Sequence, residues 1–433
     1  MATKMKTKTH RAHWARHHRI LAGVLIGVLV VGAGLLVAQD QATLKIKSPL
    51  AADDPRFPQY LANLLGHRLT SNDSYAVHTN GDHAFPAMLA AIDAAQQQVD
   101  IETYIFEKGD AGTRFTDALE RAAKRGVKVR LILDAIGSKH MAGDDEKRLK
   151  AAGAVIRWVN PLVSFQLQEI NYRTHRKAFV IDGTVAFVGG MGIADHWDRD
   201  SKDFPMWRDT MIAMRGPVVT DVEAAFNQNW VVVGDIVEPD VRPDSAPPSG
   251  AAPSIVVWSA PQTGANELKM LYLLALGAAQ HTVDIESPYL ITDDSSQWSI
   301  EQARQRGVRI RMLVEGSKTD AKVVKYASRS EYESLMEKGV EIAEYQPTML
   351  HTKAMVIDGM MSIIGSANFD NRSLELNDEL NVAVFDRPLA QRLLQDFEQD
   401  LGKAKKLDLE SWRSRPLPDK ARDWVWSYFG EVF

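Results

Sequence analysis

The chain has 433 residues, 45% hydrophobic and 25% charged, enough for two ordinary globular domains with a sizeable core. A formal net charge of −5 argues against a broad nucleic-acid-binding surface, which shows as a basic domain. The absence of cysteine excludes disulfides, thiolate metal sites and a cysteine nucleophile, and leaves the redox compartment open.

Residues 1–19 form a basic flank with Lys4, Lys6, Lys8, Arg11, Arg16 and Arg19. From Ile20 to Ala38 no side chain is charged or strongly polar. At ~1.5 Å per residue, such a helix nearly spans a hydrocarbon core of ~30 Å. The next basic residue is Lys45. This asymmetry predicts a single transmembrane helix over 20–38 with a cytoplasmic N-terminus and the body on the far side of the membrane. A cleaved signal peptide is the alternative, but Leu36 and Val37 before Ala38 make a poor cleavage site. His10, His13, His17 and His18 read as part of a headgroup-facing flank rather than a metal tract.

The stretch 39–72 lacks sustained periodicity and reads as a tether. The composition PDSAPPSGAAP, from Pro243 to Pro253, marks a linker over 241–253. It separates a first domain at 73–240 from a second at 254–433. The two repeat each other. VDIETYIF from Val99 and RGVKVRLIL from Arg125 return as VDIESPYL from Val283 and RGVRIRMLV from Arg306. HRKAFVIDG from His175 returns as HTKAMVIDG from His351. The segments 84–98, 112–124 and 267–280 have helical apolar spacing. Strands alternating with helices predict a duplicated α/β unit whose halves pack about a pseudo-twofold axis.

Each half contains H-x-K-x4-D: His175, Lys177 and Asp182, then His351, Lys353 and Asp358. Chance predicts roughly 0.03 such matches in the chain. In a strand, residues i and i+2 share a face, so each histidine and its lysine point the same way. A histidine supplies a nucleophile or a general acid near neutral pH, and a lysine supplies positive charge for phosphoryl oxygens. Two halves face to face give an attacking imidazole, an opposing proton donor and two ammonium groups. A metal site is disfavoured, because each lysine would repel the cation and no H-E-x-x-H occurs. The expectation is no metal and no cofactor. Asp182 and Asp358 belong to the motif and are grouped with its catalytic residues. Strand geometry nevertheless turns each aspartate away from its histidine, and Asp-Gly suits a hairpin turn.

At these residues the chain resembles the phospholipase D superfamily and, within it, the bacterial cardiolipin synthases. The resemblance runs roughly from Tyr75 to Asp386. It includes both motifs, Gly189-Gly190, Gly365-Ser366-Ala367-Asn368, WRDT at 207–210 and NRSLELNDELN from Asn371. It implies a phosphatidyltransferase working through a phosphohistidine, with phosphatidylglycerol as substrate and cardiolipin as product. By family analogy His175 attacks and His351 protonates the leaving oxygen. Ser366 and Asn368 are implied as phosphate ligands. The resemblance also implies that carboxylates cross between the halves, so Glu379 is expected to hold His175 and Asp209 to hold His351. One position departs from the pattern: Gly192 stands where the second copy has Asn368.

The partners expected are a phospholipid and the membrane, with no nucleic acid, and the location a bacterial plasma membrane with the catalytic part outside the cytoplasm. Val163, Phe165 and Leu167 before His175, and Trp424, Trp426, Tyr428, Phe429 and Phe433 at the C-terminus, suit contact with lipid. Three other readings stay open: a phospholipase D that uses water, a nucleic-acid phosphodiesterase, and an inactive membrane scaffold.

Overall fold

The computed structural model describes residues 43–160, 173–200, 205–234, 236, 252–260 and 266–427. The apolar run 20–38, the segment holding Val163, Phe165 and Leu167, most of the linker, and Tyr428, Phe429 and Phe433 lie outside them. Among the described residues no helix is long and apolar enough to cross a membrane. The chain divides after Leu44, and everything below belongs to the unit that begins at Lys45.

The first half contributes β1 (Thr70–Thr79), β2 (Gln98–Thr103), β3 (Lys128–Asp134), β4 (Val155–Val159), β5 (Ala178–Ile181), β6 (Val185–Gly189) and β7 (Thr210–Arg215). The second contributes β8 (Ala252–Trp258), β9 (Thr282–Glu286), β10 (Leu290–Ile291), β11 (Arg309–Glu315), β12 (Glu341–Tyr345), β13 (Ala354–Ile357), β14 (Met361–Gly365), β15 (Phe369–Asp370), β16 (Leu380–Val384) and β17 (Ala404–Lys406). All but β10 and β15 join one sheet, ordered β17-β12-β11-β9-β13-β14-β16-β8-β1-β7-β6-β5-β2-β3-β4. Outward from the antiparallel β8–β1 pair the order is the same on both sides until β17 adds an edge. The protein is therefore a mixed α/β fold whose halves share a sheet.

The strand registers repeat as well. β2 runs parallel to β3 and antiparallel to β5, with Glu102 opposite Ala178. β9 runs parallel to β11 and antiparallel to β13, with Glu286 opposite Ala354. Parallel neighbours need a crossover, and the amphipathic helices Asp110–Lys124 and Asp294–Gln305 supply it. The expected helical segments are found at Gly81–Ala94, Asp110–Lys124 and Glu267–Ala278.

Between the halves lies a shared apolar layer. Ala178, Val180, Ala186, Val188 and Ile212 pack in one cluster with Val256, Ala354, Val356, Leu380 and Val382. Burying these branched side chains at roughly 25 cal/mol per Å² makes the halves one body rather than two domains on a hinge.

The expected tether is corrected from Phe57 onward. The helix Phe57–Leu65 starts with Pro58 in its first turn and ends at Gly66, whose φ of 70° closes it in the left-handed conformation. Its Phe57, Leu61, Ala62 and Leu65 are buried in the core of the second half. β1 then starts at Thr70, and β8 starts at Ala252 inside the expected linker. The helix is too short for its spacing to stand out in the sequence.

Candidate active site

Both histidines lie just before a strand, at the same position in each half. His175 and Lys177 precede β5, and His351 and Lys353 precede β13. All four are largely buried, with the side chain of His175 14% exposed and that of His351 7%. In each pair the lysine Nζ donates to the carbonyl of its own histidine, at 2.7 Å for Lys177 and 2.6 Å for Lys353. That contact fixes histidine and lysine on one face, opposite the apolar Ala178 and Ala354.

Two short backbone bridges bring the halves together. Thr174 pairs in parallel with Asp378, and Arg208 pairs in parallel with Leu350. His175 N donates to Asp378 O at 2.9 Å, and His351 N donates to Arg208 O at 2.7 Å. One residue past each bridge, a histidine of one half therefore lies beside a carboxylate of the other. His175 Nδ1 is 2.8 Å from Glu379 Oε1, and His351 Nδ1 is 2.7 Å from Asp209 Oδ2. An ionised carboxylate only accepts, so each Nδ1 carries the proton and each Nε2 holds the lone pair.

The carboxylates are themselves held, by different means. Ser366 Oγ donates to Glu379 Oε2 at 2.5 Å, and Asn377 Nδ2 approaches Oε1 at 3.4 Å. Trp197 Nε1 donates to Asp209 Oδ2 at 2.9 Å, and the Thr210 amide donates to Oδ1 at 2.7 Å. The ring neighbours differ too. Tyr104 stands edge-on to His175 at 5.2 Å between ring centres, whereas Trp197 and Trp207 flank His351 at 5.5 and 5.4 Å.

Burial dominates the titration of the site. It lowers His175 to about 4, against the opposing pull of Glu379. It lowers His351 well below the ordinary value, and Lys353 adds to that shift. Burial also brings Lys177 down to about 7 and Lys353 to about 8, in both cases against nearby carboxylates. Burial raises Asp209 to about 6, outweighing the pull of Lys353. Glu379 goes the other way: burial raises it, but His175, Lys177 and Ser366 together leave it below the usual range. Near neutral pH the site thus holds neutral imidazoles beside lysines brought down toward neutrality.

Two groups of expected residues lie elsewhere. Asp182 and Asp358 are not at the reaction centre, which corrects their place in the catalytic set. Each occupies a two-residue Asp-Gly turn with positive φ, 51° at Asp182 and 50° at Asp358. Asp182 accepts from the amides of Gln96, Gln97 and Gln98 at 2.7–2.9 Å. Asp358 does the same for Gln280, His281 and Thr282 at 2.7–2.8 Å. These aspartates pin the hairpin carrying the histidine to the start of the neighbouring strand. Ser366 is also corrected: its hydroxyl lies behind Glu379 and accepts the Leu380 amide at 3.0 Å, so it orients a carboxylate. Asn368 is 4% exposed, and its Oδ1 has no hydrogen-bond partner among the described residues.

Sequence reasoning missed Tyr104, Trp197 and Trp207 at the site. Tyr104 was within reach, since it belongs to the VDIETYIF repeat landmark. Gly192 is explained by its neighbours: a Cβ there would lie 2.8 Å from the Ile105 carbonyl, 2.9 Å from the Ile105 Cβ and 3.1 Å from the Trp197 indole. Ile105 and Trp197 together fill the room that an asparagine would need.

Comparison with known proteins gives the family. The model of the family described as cardiolipin synthase, PLD-like domain, matches residues 88–230 and 272–401, one segment in each half. The chain belongs to this family. A cardiolipin synthase of Geobacillus kaustophilus is 32% identical over 390 residues, covering 89% of this chain and 78% of the relative. A probable cardiolipin synthase of Bacillus subtilis is 30% identical, covering 86% and 75%. Among solved structures, the phosphatidylserine synthase of Haemophilus influenzae superposes with a TM-score of 0.64 at 13% identity, covering 87% of this chain and all of that one. The polyphosphate kinase of Porphyromonas gingivalis gives 0.55 at 14% identity, covering 91% and 57%. At such identity these two structures speak for the fold alone.

Proposed function

We propose that the protein joins two phosphatidylglycerol molecules into cardiolipin and free glycerol through a phosphohistidine. The crossed pairing of His175 with Glu379 and of His351 with Asp209 carries this reading. It supports two imidazoles whose Nε2 atoms are left for chemistry, with two lysines beside them. One Nε2 attacks the phosphorus of a phosphatidyl group, and the bond to the headgroup oxygen breaks. The other imidazole, as imidazolium, gives that oxygen its proton, and glycerol leaves. The same imidazole then takes the proton of the incoming hydroxyl as its oxygen attacks phosphorus and the P–N bond breaks. Lys177 and Lys353 stabilise the charge gathered on the phosphoryl oxygens in both steps. Water in place of the second lipid would give phosphatidic acid. Two departures in the half-sites remain compatible with this scheme, because Trp197 and Ser366 serve the same end by different chemistry.

The substrate reading extends to the membrane. The apolar run 20–38 would anchor the chain, with its basic flank in the cytoplasm and the catalytic body outside. A reporter active only outside the cytoplasm, fused after Phe433, should be active; a signal only from a cytoplasmic reporter would overturn this topology.

The activity is tested by incubating the purified full chain separately with phosphatidylglycerol vesicles and with single-stranded DNA. Cardiolipin and glycerol should form together in equal amounts, and the DNA should stay intact. Phosphatidic acid as the sole lipid product would favour the hydrolase, cut DNA the nuclease, and no reaction with either the scaffold.

A further inference from the structure

The lysines of the two half-sites are held alike by the backbone and unlike by their surroundings. Lys177 and Lys353 each donate to the carbonyl of their own histidine. Beyond that contact they diverge. Lys177 Nζ lies over the Tyr104 ring, 5.4 Å from its centre, and the same ring stands 5.2 Å from that of His175. Among the described residues no aromatic face lies under Lys353, and the position matching Tyr104 is Pro288. The charged neighbours differ as well. Against the effect of burial, Asp209, Glu379, Asp320 and Asp370 favour the charged form of Lys353. Glu379, Asp209 and Asp134 favour that of Lys177, while Lys353 opposes it.

The fold fixes the Tyr104 ring in this place. β2 runs antiparallel to β5 with Glu102 opposite Ala178. The residue just past the end of β2 therefore comes alongside the residues just before β5, where His175 and Lys177 stand. Ser138 Oγ donates to the Tyr104 carbonyl at 2.9 Å. Gly137 lies close against the ring: a Cβ there would be 2.8 Å from both Cδ2 and Cε2, and 2.2 Å from the Tyr104 carbonyl oxygen. The ring is thus packed against Gly137 while its face meets the ammonium. Burial raises the phenol above its ordinary value, so the ring stays neutral across the pH range of activity.

Burial disfavours the charged form of a lysine. An aromatic face opposes that effect, because its quadrupole attracts a cation, most strongly where water is excluded. We propose that Tyr104 is a positioning residue whose ring holds the Lys177 ammonium, charged and beside His175, ready for a phosphoryl group. A ring suits this task better than a further carboxylate would. An ammonium has three N–H donors, and Lys177 uses one on the His175 carbonyl. A carboxylate would take another in a hydrogen bond, whereas the ring attracts the charge and leaves the remaining donors for phosphoryl oxygens. The inference rests on the displacement at phosphorus proposed above, and not on which alcohol accepts the phosphatidyl group.

The test is the pH dependence of kcat/KM, measured on phosphatidylglycerol vesicles and on a soluble phosphodiester. Wild type is compared with Tyr104→Phe and Tyr104→Leu. Loss of the Lys177 charge gives the profile a basic limb. The ring favours the charged lysine, so removing it moves that limb to lower pH; activity is lost at high pH and spared below the limb. The limb of Tyr104→Leu should fall by about one pH unit, and Tyr104→Phe should keep the wild-type limb. A further protein carries a trifluorinated phenylalanine at position 104. It keeps the shape of the ring and weakens its negative face, so its limb should fall even if Tyr104→Leu does not fold. A limb unmoved by fluorination, or moved as far by Tyr104→Phe as by Tyr104→Leu, would overturn the inference, whatever the level of activity. If wild type turns over neither diester, the displacement reading itself falls, and this inference with it; turnover with an unmoved limb removes Tyr104 alone.

Discussion

The two corners of the active site keep the same reacting groups and hold them differently. At one, Ser366 orients Glu379, which holds His175, and the wall is Tyr104. At the other, the Trp197 indole orients Asp209, which holds His351, and the wall is Trp197 and Trp207. The parts shared by both corners are those that a displacement at phosphorus needs twice: an imidazole, a lysine and a carboxylate from across the interface. The parts that differ touch the carboxylates or the space where lipid groups would lie. Duplication supplied the first set, and the divergence of the second makes the corners inequivalent.

The most direct way to break this comparison is to remove a reacting group. His175→Ala and His351→Ala should each lower turnover by about 10⁴-fold or more, since each step needs both imidazoles. Turnover is measured on phosphatidylglycerol and on a soluble diester. Near-wild-type rates for either variant on any diester would mean that one half suffices.

The carboxylates sharpen the difference. Glu379→Gln and Asp209→Asn should each lower kcat by about 10²- to 10⁴-fold, with KM little changed, because an amide no longer fixes the Nδ1–H tautomer. Their pH behaviour should separate. Burial raises Asp209 to about 6, so the carboxylate that holds His351 is lost as pH falls through about 6. Glu379 lies below the usual range and stays ionised there. An acid limb near pH 6 should thus belong to Asp209 and be absent from the residual activity of Asp209→Asn. Stability follows the opposite sign. The folded value exceeds the ordinary 3.8, so Asp209 favours the fold most at low pH, and that contribution fades as pH rises through about 6. Melting curves of wild type and Asp209→Asn at pH 5 and pH 8 should show the variant relatively more stable at pH 8.

Gly192 tests whether the divergence can be undone. Restoring the repeat with Gly192→Asn puts a side chain against the Ile105 carbonyl and Trp197. Such overpacking costs about 1–3 kcal/mol and pushes the indole that holds Asp209. The melting temperature should fall and activity should fall with it. A variant more active than wild type would mean that the asparagine position is a true vacancy in the first half.

Much of this centre was legible in the sequence because its parts recur. The H-x-K pairs, the VDIE and RGV landmarks and the crossing carboxylates Asp209 and Glu379 all have counterparts in the other half. Legibility stopped where a residue occurs once. Trp197 is matched by Ser373, so no repeat marks it. The family resemblance implies Ser366 as a phosphate ligand, yet its position behind Glu379 depends on the β14–β16 pairing. The helix Phe57–Leu65 escaped because its apolar face meets the far half, a contact that no local pattern encodes.

The smallest effect is expected where the two halves are most alike. Asp182 and Asp358 each gather three successive amides of the adjoining strand in a left-handed Asp-Gly turn. Asparagine tolerates that backbone conformation but brings only one accepting oxygen and no charge. Asp182→Asn and Asp358→Asn should therefore each cost about 1 kcal/mol of stability, by nearly the same amount, through weaker amide contacts. Neither aspartate touches His175 or His351, so kcat per folded molecule should stay within a few-fold of wild type. Chemical denaturation and active-site titration measure the two quantities separately. A kcat loss as large as that of the histidine variants, in protein as stable as wild type, would return the aspartates to the catalytic set. Unequal stability losses would instead show that the shared sheet tolerates slack at one end and not at the other, and that the symmetry of the hairpins is one of shape and not of load.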